Sequence, residues 1–259
     1  MRAVVVGNVT EDLVFALPRL PRPGETLIAS ARLADIGGKG LNQALLLARA
    51  GCDTRLVAPV GDDAAGRRAR DLAAHELPGA ALLAVDAPTD QSIIHVAAGG
   101  ENQIVSSAFA AAALTPGAAL AAMGPLGPGD AVVVQGNLSE AVTRAVLAAG
   151  RQAGAWTVAN PSPIRWDWAP LLPLVDLAIV NRPELRAPAG EGAGEAAGSA
   201  DLRALGAAEV LLTLGAEGSR LFSARGETAV PAAPAEAVDT GGAGDTFAAA
   251  HVAARLAGA

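Results

Sequence analysis

Apolar and polar positions fall in blocks along this chain rather than alternating singly. Ala3–Val6, Thr54–Pro59, Ala131–Gln135, Trp156–Ala159, Leu177–Val180 and Val210–Leu214 are short, nearly continuous apolar runs, the pattern of strands covered on both faces. Ala80–Val85 is a further apolar run. Helical stretches lie between them. One covers Leu45–Ala50 and stops at Gly51, and a charged one follows Gly61-Asp62-Asp63 as far as Glu76. A third is capped by Ser139, runs to Ala149 and is closed by Gly150. Strand alternating with helix predicts a mainly parallel sheet with helices on both faces.

Some segments stand outside that frame. Glu25–Ala34 alternates only in part, and Gln91–Ala97 and Asn102–Ser106 flank a Gly-Gly turn as a hairpin would. These are expected to form a small separate sheet. Pro18, Pro21, Pro23 and Gly24 mark a loop, and Gly190–Gly198 reads as a low-complexity mobile loop. Trp166 and Trp168, between Pro163 and Pro170, are expected to pin a loop by packing. Ser219–Phe222 and Glu227–Val230 read as short strands near the end, and no internal repeat is visible.

Composition removes several classes of partner. The 259 residues are 51% hydrophobic and carry a net charge of -7, with three tryptophans, four phenylalanines and no tyrosine. An acidic chain poor in aromatics is badly equipped to bind nucleic acid. Cys52 is the one cysteine, so no disulfide forms within the chain and a reducing compartment fits. The first apolar run is too short for a signal peptide, and no run approaches a membrane span. A soluble cytoplasmic protein is the expectation. His75, His95 and His251 are scattered without metal-ligand spacing.

Three places carry candidate chemistry. The first is Asp239-Thr240-Gly241-Gly242-Ala243-Gly244-Asp245, followed by an Ala-rich apolar segment. If Gly244 or Asp245 opens a helix, the glycines form an anion-binding nest with a carboxylate beside it. That pairing suits phosphoryl transfer, although an aspartate at a helix start also simply complements the dipole. The second is Gly37-Gly38-Lys39-Gly40-Leu41-Asn42, a glycine-rich helix entry. It fails the Walker A spacing, and it could hold sugar hydroxyls or be a cap with a surface lysine. The third is the set of polar residues just past apolar runs. Asn8, Thr10, Glu11 and Asp12 follow the first strand, where open α/β sheets bind ligands. Asn181 and Glu184 follow another; they could orient the waters of Mg²⁺, or form a capping pair.

Together these motifs resemble the ribokinase-like (PfkB) family of carbohydrate kinases. The resemblance rests on GGKGLNQA at Gly37–Ala44, NRPE at Asn181–Glu184, TLGAEG at Thr213–Gly218, DTGGAGDTF at Asp239–Phe247 and GENQI at Gly100–Ile104. It covers essentially the whole chain. It implies a three-layer α/β/α fold over residues 1–259, with a mainly parallel central sheet and a β-sheet lid inserted from about 12–36 and 90–107. It further implies that Asp245 takes the proton of a primary sugar hydroxyl as that oxygen attacks the γ-phosphate of ATP. The amides of Gly242, Ala243 and Gly244 would form the anion hole, with Lys39 near the transferring phosphate. Asp12, Gly38 and Asn42 would bind sugar hydroxyls, with Thr10 and Asn137 at neighbouring sugar positions. Asn181 and Glu184 would set the magnesium waters, and Thr213, Gly215 and Gly218 would contact ATP. Asp239 would border a potassium site, and the lid would give a homodimer contact.

The chain departs from ribokinases in carrying Thr10 for an Asn and Asn137 for a Glu, which leaves the acceptor open among related sugars and nucleosides. Family members also continue past the position of Ala259 into helices that wall the adenine and complete the potassium loop. A weakly active or non-catalytic sugar- or nucleotide-binding protein of the same fold is therefore the alternative reading. A nicotinamide oxidoreductase is disfavoured, because no G-x-G-x-x-G follows a strand.

Overall fold

The computed structural model describes residues 1–189, 195–204, 206–235 and 241–258. The chain opens with β1 (Arg2–Val6), β2 (Thr10–Leu17), β3 (Ala31–Gly37) and α1 (Lys39–Arg49). Next come β4 (Asp53–Val60), α2 (Ala64–Glu76), β5 (Ala81–Ala84), β6 (Asp90–Ala97) and β7 (Asn102–Ser106). The middle holds α3 (Phe109–Ala113), α4 (Pro116–Met123), β8 (Ala131–Gln135), α5 (Glu140–Gln152), β9 (Trp156–Asn160) and β10 (Leu177–Asn181). The last part contains α6 (Arg182–Ala189), α7 (Glu195–Ala204), β11 (Glu209–Thr213), β12 (Ser219–Ser223), β13 (Gly226–Val230) and α8 (Ala243–Leu256).

Nine strands form the large sheet, in the order β13-β12-β11-β10-β9-β8-β1-β4-β5. Pairing is parallel from β11 to β5 and antiparallel at β12 and β13. The expected helices lie on both faces. Val4, Val6, Val132 and Val134 pack with α4, α5 and α7 on one side, while Ala3, Val5 and Val133 pack with α1 and α8 on the other. Both faces of β1 and β8 are thus buried, which is why those strands read as unbroken apolar runs.

Four expectations need correction. The strand expected at Glu25–Ala34 lies at Ala31–Gly37 instead. Residues 22–25 form a turn, in which the Glu25 N–H donates to the Arg22 carbonyl and Arg19 pairs with the Glu25 carboxylate. Thr10, Glu11 and Asp12, read as polar residues just past the first strand, instead open a full strand, Thr10–Leu17, of the small sheet, ordered β3-β2-β6-β7. Glu11–Ala16 are half-buried and Thr10 and Leu17 are buried; the apolar run Leu13–Leu17 lies behind a polar start and runs straight into the prolines, which hides the strand. Gly150 does not close α5, which continues to Gln152. A Cβ there would lie 3.0 Å from the Thr157 methyl and 3.1 Å from a Val132 methyl, so this glycine serves close helix–sheet packing. Within the expected loop Gly190–Gly198, residues 195–198 begin α7, and 190–194 lie outside the described residues. The tryptophan packing does form. Trp166 and Trp168 stack at 4.3 Å, and the Trp166 indole N–H donates to the Leu138 carbonyl at 3.1 Å.

Candidate active site

The parallel strands all end along one edge of the large sheet, and β1 lies between β4 and β8 there. The chain winds away from β1 on both sides, so a crevice opens where α/β sheets bind ligands. Helix α1 enters that crevice at very short range. The Gly40 N–H points to the Asn8 side-chain oxygen at 3.3 Å, and the Leu41 N–H donates to the Asn8 carbonyl at 3.2 Å. A Cβ on Gly40 would sit 2.6 Å from the Asn8 nitrogen, so only glycine allows the helix this close. Gly38 has φ 101°, which turns the chain from β3 into α1.

The first turns of α1 meet the first turn of α8. Asp245 is 5% exposed. Gln43 Nε2 donates to its Oδ1 at 3.0 Å, Asn42 Nδ2 to its Oδ2 at 3.4 Å, and Lys39 Nζ lies 3.6 Å from Oδ1. An aspartate that only complemented a helix dipole would face water; this one faces a lysine and two amides. The two glycine-rich segments are therefore one site. Gly242 adopts φ 69° as the N-cap of α8. At this end the Thr246 N–H donates to the Gly242 carbonyl at 2.8 Å, the first i to i+4 bond of the helix. The N–H groups of Gly242, Ala243 and Gly244 precede it, in the positions that no helix can satisfy internally. Gly242, Ala243 and Gly244 are exposed, so an anion can reach them.

The small sheet supplies the opposite wall. Thr10 Oγ donates to Asp12 Oδ1 at 2.6 Å, and Gly37 lies against the Asp12 carboxylate, which a Cβ there would strike. Burial pushes the Asp12 carboxyl up from its ordinary value. Hydrogen bonds from Thr10 and Ser92 oppose that rise, and the negative charges of Asp35 and Asp245 add to it.

Other expected residues stand further along the same edge. Asn181 and Glu184 form a reciprocal capping box: the Asn181 N–H donates to Glu184 Oε2 at 3.0 Å, and the Glu184 N–H to Asn181 Oδ1 at 2.9 Å. The capping pair anticipated as an alternative is thus made, leaving the second Glu184 oxygen outside these two bonds. Thr213 ends β11. Gly215 and Gly218 have φ 59° and 97°, and a Cβ on Gly218 would meet the Val230 carbonyl at 2.1 Å, so this glycine is also needed for packing. Asn137 follows β8, and its side-chain oxygen is buried without a hydrogen-bond partner. Among the described residues, no hydrogen bond or ion pair joins Asn137, Asn181, Glu184, Thr213, Gly215 or Gly218 to the Asp245 cluster. Asp239 lies outside the described residues.

Two residues at the centre were not anticipated. Gln43 is 1% exposed and Gln135 is 0% exposed, and Gln135 Nε2 donates to Gln43 Oε1 at 2.8 Å. The available signal was a glutamine closing the apolar run Ala131–Val134, a polar group that a buried strand does not otherwise need.

The sequence profile of the pfkB family carbohydrate kinases matches residues 2–259. The chain belongs to that family. This PfkB carbohydrate kinase is 29% identical to the ribokinase of Staphylococcus aureus (strain COL) over 258 residues, covering 97% of this chain and 85% of that protein. It is 32% identical to the ribokinase of Bacillus subtilis (strain 168), covering 96% and 84%. Among solved structures it resembles Arabidopsis thaliana ribokinase complexed with ribose and ATP, with TM-score 0.82, 26% identity and coverage of 99% and 86%. The ribokinase of Giardia lamblia gives TM-score 0.88 at 27% identity, covering 97% and 81%. The fold is ribokinase-like, as the motifs implied. Membership of a family of ATP-dependent sugar kinases does not favour the non-catalytic alternative. No described helix is long and apolar enough to cross a membrane.

Proposed function

We propose that this kinase transfers the γ-phosphoryl group of ATP to a primary hydroxyl of a pentose or a related sugar-like acceptor, with Asp245 as the general base. One observation carries the reading: a buried carboxylate stands in the first turn of α8, beside a row of outward-facing amides. The acceptor oxygen approaches between Asp12 and Asp245 and gives its proton to Asp245 while it forms the bond to phosphorus. The bridging P–O bond breaks, and its electron pair leaves with ADP. The amides of Gly242, Ala243 and Gly244 and the ammonium of Lys39 face the charge carried by the transferring group.

Asp12, Thr10, Gly38 and Asn42 orient the acceptor, and Asn137 offers an unused oxygen at the same edge. Thr213, Gly215 and Gly218 carry the nucleotide. The donor set at Asn181 and Glu184 suits a magnesium ion held through water, because the capping box fixes both residues and leaves one carboxylate oxygen over. Bound there, the ion would neutralise phosphate charge. Potassium beside Asp239 completes the proposed set.

The small sheet supports a second proposal, a homodimer through its face. Strand register places Leu33, Val14, Ile94 and Ile104 in one row across the four strands. Leu33 is 60% and Ile104 54% exposed, so the row is left for a second copy to cover.

Asp245→Asn tests the central assignment. It keeps the shape and removes the base, so ADP release with the preferred pentose should fall by about 10²–10⁴-fold. Undiminished turnover in a folded variant would refute the reading.

A further inference from the structure

We propose that Gln43 and Gln135 form a buried amide relay that directs the substrate proton to Oδ2 of Asp245, with Gln43 as a positioning residue. The proposal rests on Asp245 being the base. Gln43 comes from α1, Gln135 from β8 and Asp245 from α8; 92 and 202 residues of sequence separate the bonded pairs. Three polar side chains each at most 5% exposed are costly to bring together unless their bonds have a use.

The direction of the relay follows from donor and acceptor capacity. An ionised carboxylate only accepts. Gln43 therefore presents its amide nitrogen to Oδ1, and its amide oxygen is left facing Gln135. Gln135 must then donate, which leaves its own oxygen without a partner. That buried, unpaired Gln135 Oε1 is present. The orphan shows that the chain of amides is oriented from its Asp245 end, at the expense of the Gln135 end. Gly7 makes room for it, since a Cβ there would lie 2.1 Å from Gln135 Oε1.

The two oxygens of Asp245 are consequently unequal. Oδ1 faces Gln43 Nε2 and the Lys39 ammonium. A proton placed on Oδ1 would set an O–H against an N–H, and both glutamines would have to turn to relieve it. Among the described residues, Oδ2 meets the long 3.4 Å contact from Asn42, which an acceptor hydroxyl can replace. The hydroxyl proton moves to Oδ2, the new O–P bond forms as the bridging P–O bond breaks and its electron pair leaves with ADP, and the relay stays as it was. Among the described residues, the other charges facing Asp245 are Lys39 on α1 and, through space, Asp12 on β2.

The test measures pH–rate profiles of the full chain with ATP, magnesium and the preferred sugar, for Gln43→Met, Gln135→Met and Asp245→Asn. Without the Gln43 donor the ionised carboxylate is less favoured, so the acid limb of kcat should move up by about half a pH unit or more. In Gln43→Met, kcat should fall about tenfold or more while the sugar KM changes less than about threefold. Gln135→Met, one hydrogen bond further from Asp245 than Gln43, should move the acid limb in the same direction with a smaller loss of kcat. An acid limb that stays in place in the folded variants overturns the proposal, whatever happens to their melting temperatures. If Gln43→Met does not fold, Gln135→Met decides by the same criterion. Asp245→Asn separates the two readings. Full activity there removes the base itself, whereas an inactive Asp245→Asn beside unshifted glutamine variants removes only the relay.

Discussion

Gly40→Ala should disable this enzyme out of proportion to its effect on stability. Intrinsic propensity alone predicts the opposite, since alanine is about 1 kcal/mol better than glycine inside a helix. The geometry overrides it. The added Cβ would lie 2.6 Å from the Asn8 nitrogen, 2.8 Å from the Asn8 oxygen and 2.8 Å from Gly7 Cα. These are backbone atoms just past the end of β1, which is pinned by parallel pairing to β4 and β8, and the Gly7 N–H itself donates to the Val57 carbonyl at 3.0 Å, so they yield little. Ordinary carbon contacts need about 3.5 Å, so α1 must withdraw by about 1 Å. Lys39, Asn42 and Gln43 withdraw with it. The 3.0 Å bond from Gln43 to Asp245 would then open beyond hydrogen-bond range. A misplacement of about 1 Å costs about 10²-fold in rate, or about 2.7 kcal/mol on the barrier. The overlap should cost about 1–3 kcal/mol of stability. Turnover by ADP release and thermal melting measure both quantities on one preparation. Gly117→Ala in α4 is the control, because nothing lies within 4 Å of its Cβ. It should leave kcat unchanged and raise stability by about 0.4–1 kcal/mol. A Gly40→Ala enzyme within about threefold of the parent kcat, or more stable than it, would refute the account of how α1 is seated.

Two further outcomes follow from burial. Asp12 has a carboxyl raised by desolvation, so the unfolded chain releases that proton first and the native state loses stability as pH rises from near 3.8 through the folded value. Asp12→Asn removes this loss. Its melting temperature minus the parent's should increase with pH across that window while the sugar KM rises, and a difference that decreases with pH would contradict the sign. Leu147→Ala empties a fully buried site between α5 and the sheet, on the face away from α1 and α8. It should cost about 2–5 kcal/mol in a denaturant titration, with kcat unchanged at a temperature where the protein is folded.

What the sequence makes legible here is local. Asp245, Lys39 and Asn42 stand beside glycines whose spacing marks a turn into a helix, so their chemistry can be read within a few residues. The buried strands are legible because both of their faces are apolar. Gln43 and Gln135 are not, since their meaning lies in a contact across 92 residues and each looks like an ordinary helix or strand residue in its own neighbourhood. Strand β2 was missed for a related reason. Thr10, Glu11 and Asp12 give the strand a polar start, which breaks its pattern ahead of the apolar run Leu13–Leu17 and its proline-rich exit. The Ala-rich helices α3 and α4 left no mark either, as alanine fills a helix without giving it an apolar side.

The seating of α1 on bare backbone has an evolutionary corollary. On the proposed reading, the groups that handle the proton and phosphate are bolted to the middle of the large sheet, where any drift is felt at once by its neighbours. The groups that greet the acceptor hang from β2, a strand with half-open sides and room to change. A lineage of such enzymes can try new sugars by editing the hanging wall while the anvil stays fixed.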